Sequence, residues 1–208
     1  MSKINKIRNS YALKSEISLF FKNYKGIIIT LIFVMLLGII TGVFTASKYS
    51  GGLELENIPD GNIVDFISGD KGSFGVFFTY FIRYLLIFLF VVFFNVNSFF
   101  NIISFLVIGI MGYITGFTIA GFVTLYSLAG VINVIILIIP FDLLSLFLLI
   151  LITAISIRKF KLYKKFGSNC LSYVNHKNIY LILFLLLTIV LFIKSMLLPI
   201  IRVTIIVN

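Results

Sequence analysis

The chain alternates long runs of apolar residues with shorter polar segments. Five of these runs extend for about 20 residues or more, the length that an α-helix needs to cross the hydrocarbon core of a bilayer. Within each run polar residues are few, a pattern typical of a helix surrounded by lipid. The pattern therefore predicts an all-α, integral membrane bundle of five transmembrane helices. The predicted spans cover residues 26–46, 76–94, 102–125, 131–157 and 179–198.

The polar segments between the runs differ in the sign of their charge. Residues 1–25 contain six Lys and Arg against one Glu, and residues 158–178 contain six Lys and Arg with no acid. Residues 48–75 contain five Asp and Glu against two Lys. Because Lys and Arg accumulate on the cytoplasmic side of spans, we expect the N-terminus inside, an external acidic loop, a cytoplasmic basic loop and the C-terminus outside. The chain then divides into a basic cytoplasmic segment, residues 1–25, and one membrane domain, residues 26–208.

The composition indicates the same class of protein. Of the 208 residues, 61% are hydrophobic and 12% are charged, whereas soluble domains are about half apolar and about a quarter charged. A net charge of +10 would suggest nucleic acid in a soluble chain. Here the basic residues flank apolar spans, so the lipid bilayer and its anionic headgroups are the expected partner and nucleic acid is not. The sequence predicts a multi-pass protein of the cell membrane, and its self-association stays open.

Two segments outside the spans admit more than one interpretation. Residues 1–25 are compatible with a short interfacial helix on the anionic leaflet or with a solvated tail. For residues 48–75 we expect a solvated loop, and the spacing of its acids does not match a calcium-binding EF-hand. The alternative is one amphipathic turn resting on the membrane surface. Its apolar residues would be Ile63, Val64, Phe66 and Ile67.

Glycines are concentrated in the third predicted span. Small residues let helix backbones approach closely, and helix association in lipid depends on such packing. Gly109, Gly112 and Gly116 of this span share a helix face. The first span also carries a GxxxG pair, at Gly38 and Gly42. We expect tight helix packing at these positions, with the lining of a substrate path as the alternative. The glycines of the third span are Gly109, Gly112, Gly116 and Gly121.

Charged and helix-breaking residues lie inside several spans. Pro140 removes a backbone hydrogen bond and is expected to kink the fourth span. Asp142 follows at membrane depth, where a carboxylate needs a partner, a proton or water. Arg83 in the second span either snorkels to the surface or pairs, and we predict an intramembrane Arg83–Asp142 pair. A proton relay at Asp142 is the alternative, and Lys194 near the end of the fifth span is expected to snorkel.

Sequence motifs for catalysis are absent. The chain contains neither a Gly-rich phosphate loop nor an HExxH motif, and its one histidine, His176, and one cysteine, Cys170, have no partners at zinc-site spacing. General acid–base chemistry also has few residues to draw on. We therefore expect a protein that is not an enzyme and has no cofactor-binding, metal-binding or catalytic residues.

Two of the spans carry a family resemblance. The second reads FGVFFTYFIRYLLIFLF from Phe74 to Phe90, and the third reads FLVIGIMGYITGFTIAGF from Phe105 to Phe122. These runs, their order and a proline in the fourth span resemble the stage II sporulation protein M family of polytopic membrane proteins. The most specific part is GYITGFT at 112–118. The family often continues with Pro-His or Pro-Gln in the fourth span, where this chain has Pro140-Phe141-Asp142.

The resemblance implies a role in endospore engulfment. A family member acts as a non-enzymatic anchor in the septal membrane and recruits peptidoglycan-degrading partners that work outside it. The alternative function is a permease subunit or small transporter, with Asp142 and the face of Gly109, Gly112 and Gly116 lining a pathway. One proline-broken helix without an internal repeat favours the scaffold, since transporters often carry paired broken helices. A small immunity-type membrane protein is a third interpretation.

Overall fold

The computed structural model describes residues 2–49, 58–94, 98–166 and 177–206. The described residues form helices joined by short connections, and none of them lies in a strand. Cys170, His176 and residues 50–57 of the acidic loop lie outside these ranges. The helices are α1 (Ser2–Lys48), α2 (Gly61–Ser68), α3 (Ser73–Phe94), α4 (Ser98–Asn133), a π-helical turn (Val134–Ile138), α5 (Ile139–Phe166) and α6 (Lys177–Ile206).

Five helical segments are long and apolar enough to cross a membrane, which confirms the all-α helical bundle and makes this a multi-pass membrane protein. Residues 2–23, for which an interfacial helix or a solvated tail was expected, continue α1 as one uninterrupted helix. The spanning segments are Tyr24–Lys48, Ser73–Phe93, Asn101–Ile136, Ile139–Lys159 and Asn178–Pro199.

A break at Ser127 lies inside the segment Asn101–Ile136 and divides it, so that the residues after the break continue into the fourth span. The backbone angles of Ser127, φ 48° and ψ −121°, are non-helical, although the helix is otherwise continuous from Ser98 to Asn133. Beyond it, Gly130 lies directly against the carbonyl of Phe122, eight residues earlier. Eight residues of straight helix would separate the two by about 12 Å, so the chain reverses at Ser127. This reversal falls in the segment 126–130, where an external turn was predicted.

The helices α1 and α4 pack backbone to backbone through their glycines. A side-chain carbon added at Gly116 would collide with the carbonyl oxygen of Ile39, and one added at Gly42 would collide with that of Tyr113. Gly112 and Gly38 make equivalent contacts with Met35 and Gly109. The glycines of the two helices thus alternate along one seam, where this face of α4 packs against α1. Gly121 is also buried.

The most buried span is α5, which runs through the centre of the bundle. At the end of the bundle where α1 enters the membrane, the Arg158 guanidinium lies 4.7 Å from the centre of the Tyr24 ring. The basic residues Lys25 of α1 and Arg158 of α5 therefore lie at the same end of the bundle, as the charge pattern requires. Residues 58–72 lie between the C-terminal end of α1 and the N-terminal end of α3, at the end of the bundle away from Tyr24 and Arg158.

The segment 58–72, here named the outer cap, is folded onto the bundle and is not the solvated loop that we expected. Its helix α2 buries Ile63 and Phe66 against the core. Gly69, in a left-handed conformation at φ 91°, ends the helix, and Lys71 then bonds Asp65 at 2.7 Å. An amphipathic helix does form here, but its apolar face packs against α3 and α6 and not on a membrane surface.

Candidate functional site

Four charged side chains meet beneath the outer cap. They come from four elements: the residue before α2, then α3, α5 and α6. Three of them are almost fully buried, and a tyrosine of α3 lies between them. The members of this charge network are Asp60, Tyr80, Arg83, Asp142 and Lys194.

Lys194 is the centre of the network. Its ammonium donates a 2.6 Å hydrogen bond to Asp142 Oδ1 and a 3.1 Å hydrogen bond to the Tyr80 hydroxyl, and it lies 3.7 Å from Asp60 Oδ2. Only 2% of the residue is exposed. The expected snorkelling of Lys194 is therefore wrong. The buried carboxylate of Asp142 accepts a short, charge-assisted hydrogen bond from this cation, so the side chain points into the bundle and not toward the membrane interface.

Asp60 brings the outer cap into the network. It is 5% exposed and precedes α2, whose apolar face directs it into the bundle. Its Oδ2 accepts a 2.8 Å hydrogen bond from the Tyr80 hydroxyl. Its Oδ1 is buried, accepts no hydrogen bond from the described residues, and lies 3.9 Å from Arg83 Nη1. Oδ2 thus accepts a hydrogen bond, whereas Oδ1 interacts with the described residues only through the electrostatic attraction of Arg83.

The ion pairs differ from the predicted Arg83–Asp142 pair. Among the described residues, Asp142 bonds Lys194 and Arg83 lies against Asp60. The physical reason is depth and direction. Arg83 keeps about a third of its side chain exposed and reaches outward to the cap, while Lys194 approaches Asp142 from the neighbouring helix. Sequence reasoning missed Asp60 and Lys194, since the one was assigned to a solvated loop and the other to the interface.

Pro140 and the π-helical turn precede Asp142. In this turn the Ile139 N–H donates to the carbonyl of Val134, five residues earlier. Pro140 has no N–H to give to Ile136 in the normal α-helical pattern. The predicted irregularity in the fourth span therefore takes the form of a widened turn. It is followed at once by Asp142 in the first turn of α5.

A second chain of hydrogen bonds carries the network deeper into the bundle. The Ser145 hydroxyl donates to the backbone carbonyl of Asp142 at 2.9 Å and lies 3.1 Å from the hydroxyl of Tyr84. All three residues are buried. This arm joins α3 to α5 below the charges, so the two helices share both an ionic and a neutral polar contact.

The chemistry of the network is that of a charge-balanced buried cluster. Two carboxylates face two cations, and a partner left alone would carry an uncompensated charge, at a cost of about 3–5 kcal/mol. The arrangement holds the outer cap to α3 and α6. Lys194 already supplies the cation between the two carboxylates, so the cluster is a poor site for a metal ion.

Two grooves on the outside of the bundle are lined almost entirely by apolar atoms. One, of about 510 Å³, lies between α1 and α4 along Gly38, Thr41 and Gly109. The other, of about 560 Å³, lies between α3 and α4 at Leu86, Phe90 and Val107. Both lie on the outside of the bundle, where lipid chains would cover such apolar surfaces in a membrane.

Comparison with known proteins finds no match among family models, curated proteins or solved structures.

Proposed function

We propose that this protein is a non-enzymatic multi-pass membrane scaffold that holds partner proteins at its outer surface. The observation that carries the proposal is the fixed outer cap. Residues 58–72 are held by the buried side chains of Ile63 and Phe66 and by Asp60, whose contacts reach α3 and α6. A scaffold needs such a feature, because a preorganised surface avoids the entropic cost of ordering a loop on binding.

The outward side of the cap offers polar groups for recognition. Asp70 is exposed, and Asp65 and Lys71 form a partly exposed pair beside it. A mixed, mostly acidic surface of this kind favours partners with basic patches through electrostatic steering. The membrane-spanning bundle would then fix these partners in the plane of the bilayer.

The resemblance to the stage II sporulation protein M family names the kind of partner. We propose membrane-anchored peptidoglycan hydrolases, recruited at the septal or engulfing membrane during endospore formation. The reaction would belong entirely to those partners, since the scaffold supplies position and no catalytic group.

A second candidate function is transport, as a permease subunit or a small carrier. The buried Asp142–Lys194 pair favours it, because ionisable groups inside a membrane often mark a substrate or ion path. The glycine face is a weaker argument for this function, since Gly112 and Gly116 contact the backbone of α1. The two functions predict different companions in the membrane, an external hydrolase or an ATP-binding subunit.

The test is a pull-down of the tagged chain from detergent-solubilised membranes of sporulating cells, followed by mass spectrometry. We expect cell-wall hydrolases with the wild type, and fewer with Asp70→Lys on the outer cap. The matched control is Lys25→Glu, a charge reversal at an exposed position on the opposite end of the bundle, which should recover the hydrolases normally. An ATP-binding subunit, or the chain alone, would overturn the scaffold.

A further inference from the structure

The fully buried part of the charge network is not neutral. Asp60, Asp142 and Lys194 are 5%, 8% and 2% exposed and together carry one more negative than positive charge. The compensating cation, Arg83, keeps 34% of its side chain exposed and stays 3.9 Å from Asp60. An ionised oxygen that is buried without a hydrogen bond is costly, and Asp60 Oδ1 is such an oxygen with respect to the described residues.

We propose that this buried triad, Asp60–Lys194–Asp142, is a proton-binding site, and that binding one proton from the outer side releases the outer cap from the bundle. The proposal goes beyond the scaffold function and does not depend on it. It would make the outer surface of the protein responsive to external acidity.

A proton fits this site better than a metal cation does. The Lys194 ammonium already lies 2.6 Å from one carboxylate and 3.7 Å from the other, so it would repel a second cation of higher charge. Hard metal ions also need about six oxygen ligands, whereas the triad offers two carboxylates that are already engaged. One proton brings the triad to zero net charge without adding an atom that needs ligands.

The geometry indicates which contact is given up. Asp142 holds Lys194 at 2.6 Å, whereas Asp60 lies 3.7 Å away and has an unbonded oxygen on the side of the exposed Arg83. A proton arriving from outside therefore settles on Asp60 and removes its attraction to Lys194 and Arg83. The Lys194–Asp142 pair that stays behind is itself neutral, so the cap can leave without stranding a charge.

Titratable and charged side chains face the triad from three helices. On α3 these are Tyr80, Arg83 and Tyr84, while α5 and α6 contribute Asp142 and Lys194. Asp65 and Lys71 of the cap pair with each other at the surface. Once Asp60 is neutral, the cap is held chiefly by Ile63 and Phe66 and by the hydrogen bond to Tyr80.

The test measures access to the underside of the cap in the full-length chain. In a Cys170→Ser background, Ile63→Cys places a thiol at a fully buried position, and Gly72→Cys places one at an exposed position with open space around it. Right-side-out vesicles are treated with a membrane-impermeant maleimide. The Ile63/Gly72 ratio of labelling rates cancels the intrinsic pH dependence of the thiols. We expect this ratio to rise about tenfold when the external medium is acidified from about pH 8 to about pH 5.

Three variants identify the triad as the cause. Asp60→Asn, neutral at every pH, should give a high ratio throughout, whereas Asp65→Asn, on the exposed pair, should keep the wild-type profile. Arg83→Gln removes a cation that favours the charged carboxylates, so its midpoint should move to higher pH. The proposal is overturned by a flat ratio in the parent, by an equal change in Asp65→Asn, or by an unmoved midpoint in Arg83→Gln. The last of these remains decisive if Asp60→Asn does not fold.

Discussion

At the scale of the residue, ion pairs within the chain offset the desolvation penalty of charged side chains inside the membrane-spanning bundle. Lys194 and Asp142 are both buried and bond each other at 2.6 Å. A buried pair of this kind adds little net stability over apolar residues of the same size, but the loss of either partner exposes the other to the full desolvation penalty. Each member of the pair is therefore needed to keep the other from being buried as an unpaired charge, whereas replacing both by apolar residues should cost little.

Lys194→Met should for this reason lower the free energy of unfolding by about 3–5 kcal/mol. The double variant Lys194→Met/Asp142→Leu should recover part of that loss, because it removes the stranded carboxylate together with its partner. Thermal or denaturant unfolding in detergent measures both, with Lys25→Met as an exposed control. A double variant no more stable than the single one would contradict the assignment of Asp142 as the main partner.

The two tyrosines of α3 provide a graded comparison. The Tyr80 hydroxyl bonds both Asp60 and Lys194, whereas the Tyr84 hydroxyl bonds Ser145. Bonds to charged groups are worth about 1.5–3 kcal/mol and neutral ones about 1 kcal/mol, so Tyr80→Phe should destabilise the protein more than Tyr84→Phe. Equal unfolding midpoints for the two variants would argue that Tyr80 does not bridge the charges.

At the scale of the element, the close seam between α1 and α4 depends on having no side chain at specific positions. Gly116 faces a backbone carbonyl of α1, which cannot move aside without shifting the helix. Gly109 faces only the Cγ1 atom of Val34, at 3.3 Å from an added carbon. Glycines on one helix face therefore differ in what a methyl group would cost.

We expect Gly116→Ala to lower stability by about 1–3 kcal/mol through overpacking, and Gly109→Ala to cost less because a valine side chain can adjust. The unfolding midpoint in detergent distinguishes the two. Disulfide cross-linking between α1 and α4 reports whether the helices have moved apart. If both alanines are tolerated equally, the seam is looser than the backbone contacts indicate.

At the scale of the whole molecule, charge is sorted between the two ends of the bundle. The Tyr24–Arg158 contact marks the basic end, and the outer cap with its acids lies at the opposite end. From this distribution the positive-inside rule predicts an orientation with the cap outside. The buried network sits below the cap, in the half of the bundle away from Tyr24 and Arg158.

This orientation predicts the access of thiols from each side of the membrane. In right-side-out vesicles, an impermeant maleimide should label Gly72→Cys and leave the native Cys170 unmodified, and in inverted vesicles the pattern should reverse. Detergent-permeabilised vesicles, in which both thiols react, provide the control. Labelling of Cys170 in right-side-out vesicles would contradict the predicted orientation and indicate the reverse one.

The sequence by itself determined the class of the protein and its five spans, because crossing a bilayer is a requirement on consecutive residues. An apolar run of sufficient length meets it whatever its neighbours are. The glycines of α4 and the turn near Ser127 were predictable for a similar reason, since small residues and short polar breaks act locally.

Only the tertiary structure decided which charges meet. The partner of Asp142 depends on the depth and rotation of α3 and α6 relative to α5, and the apolar pattern carries little of either, because lipid-facing and buried sides of a span are equally apolar. Asp60 entered the network only because Ile63 and Phe66 fold α2 onto the bundle. That step relies on an apolar surface that several helices build together, and no single stretch of the chain contains it.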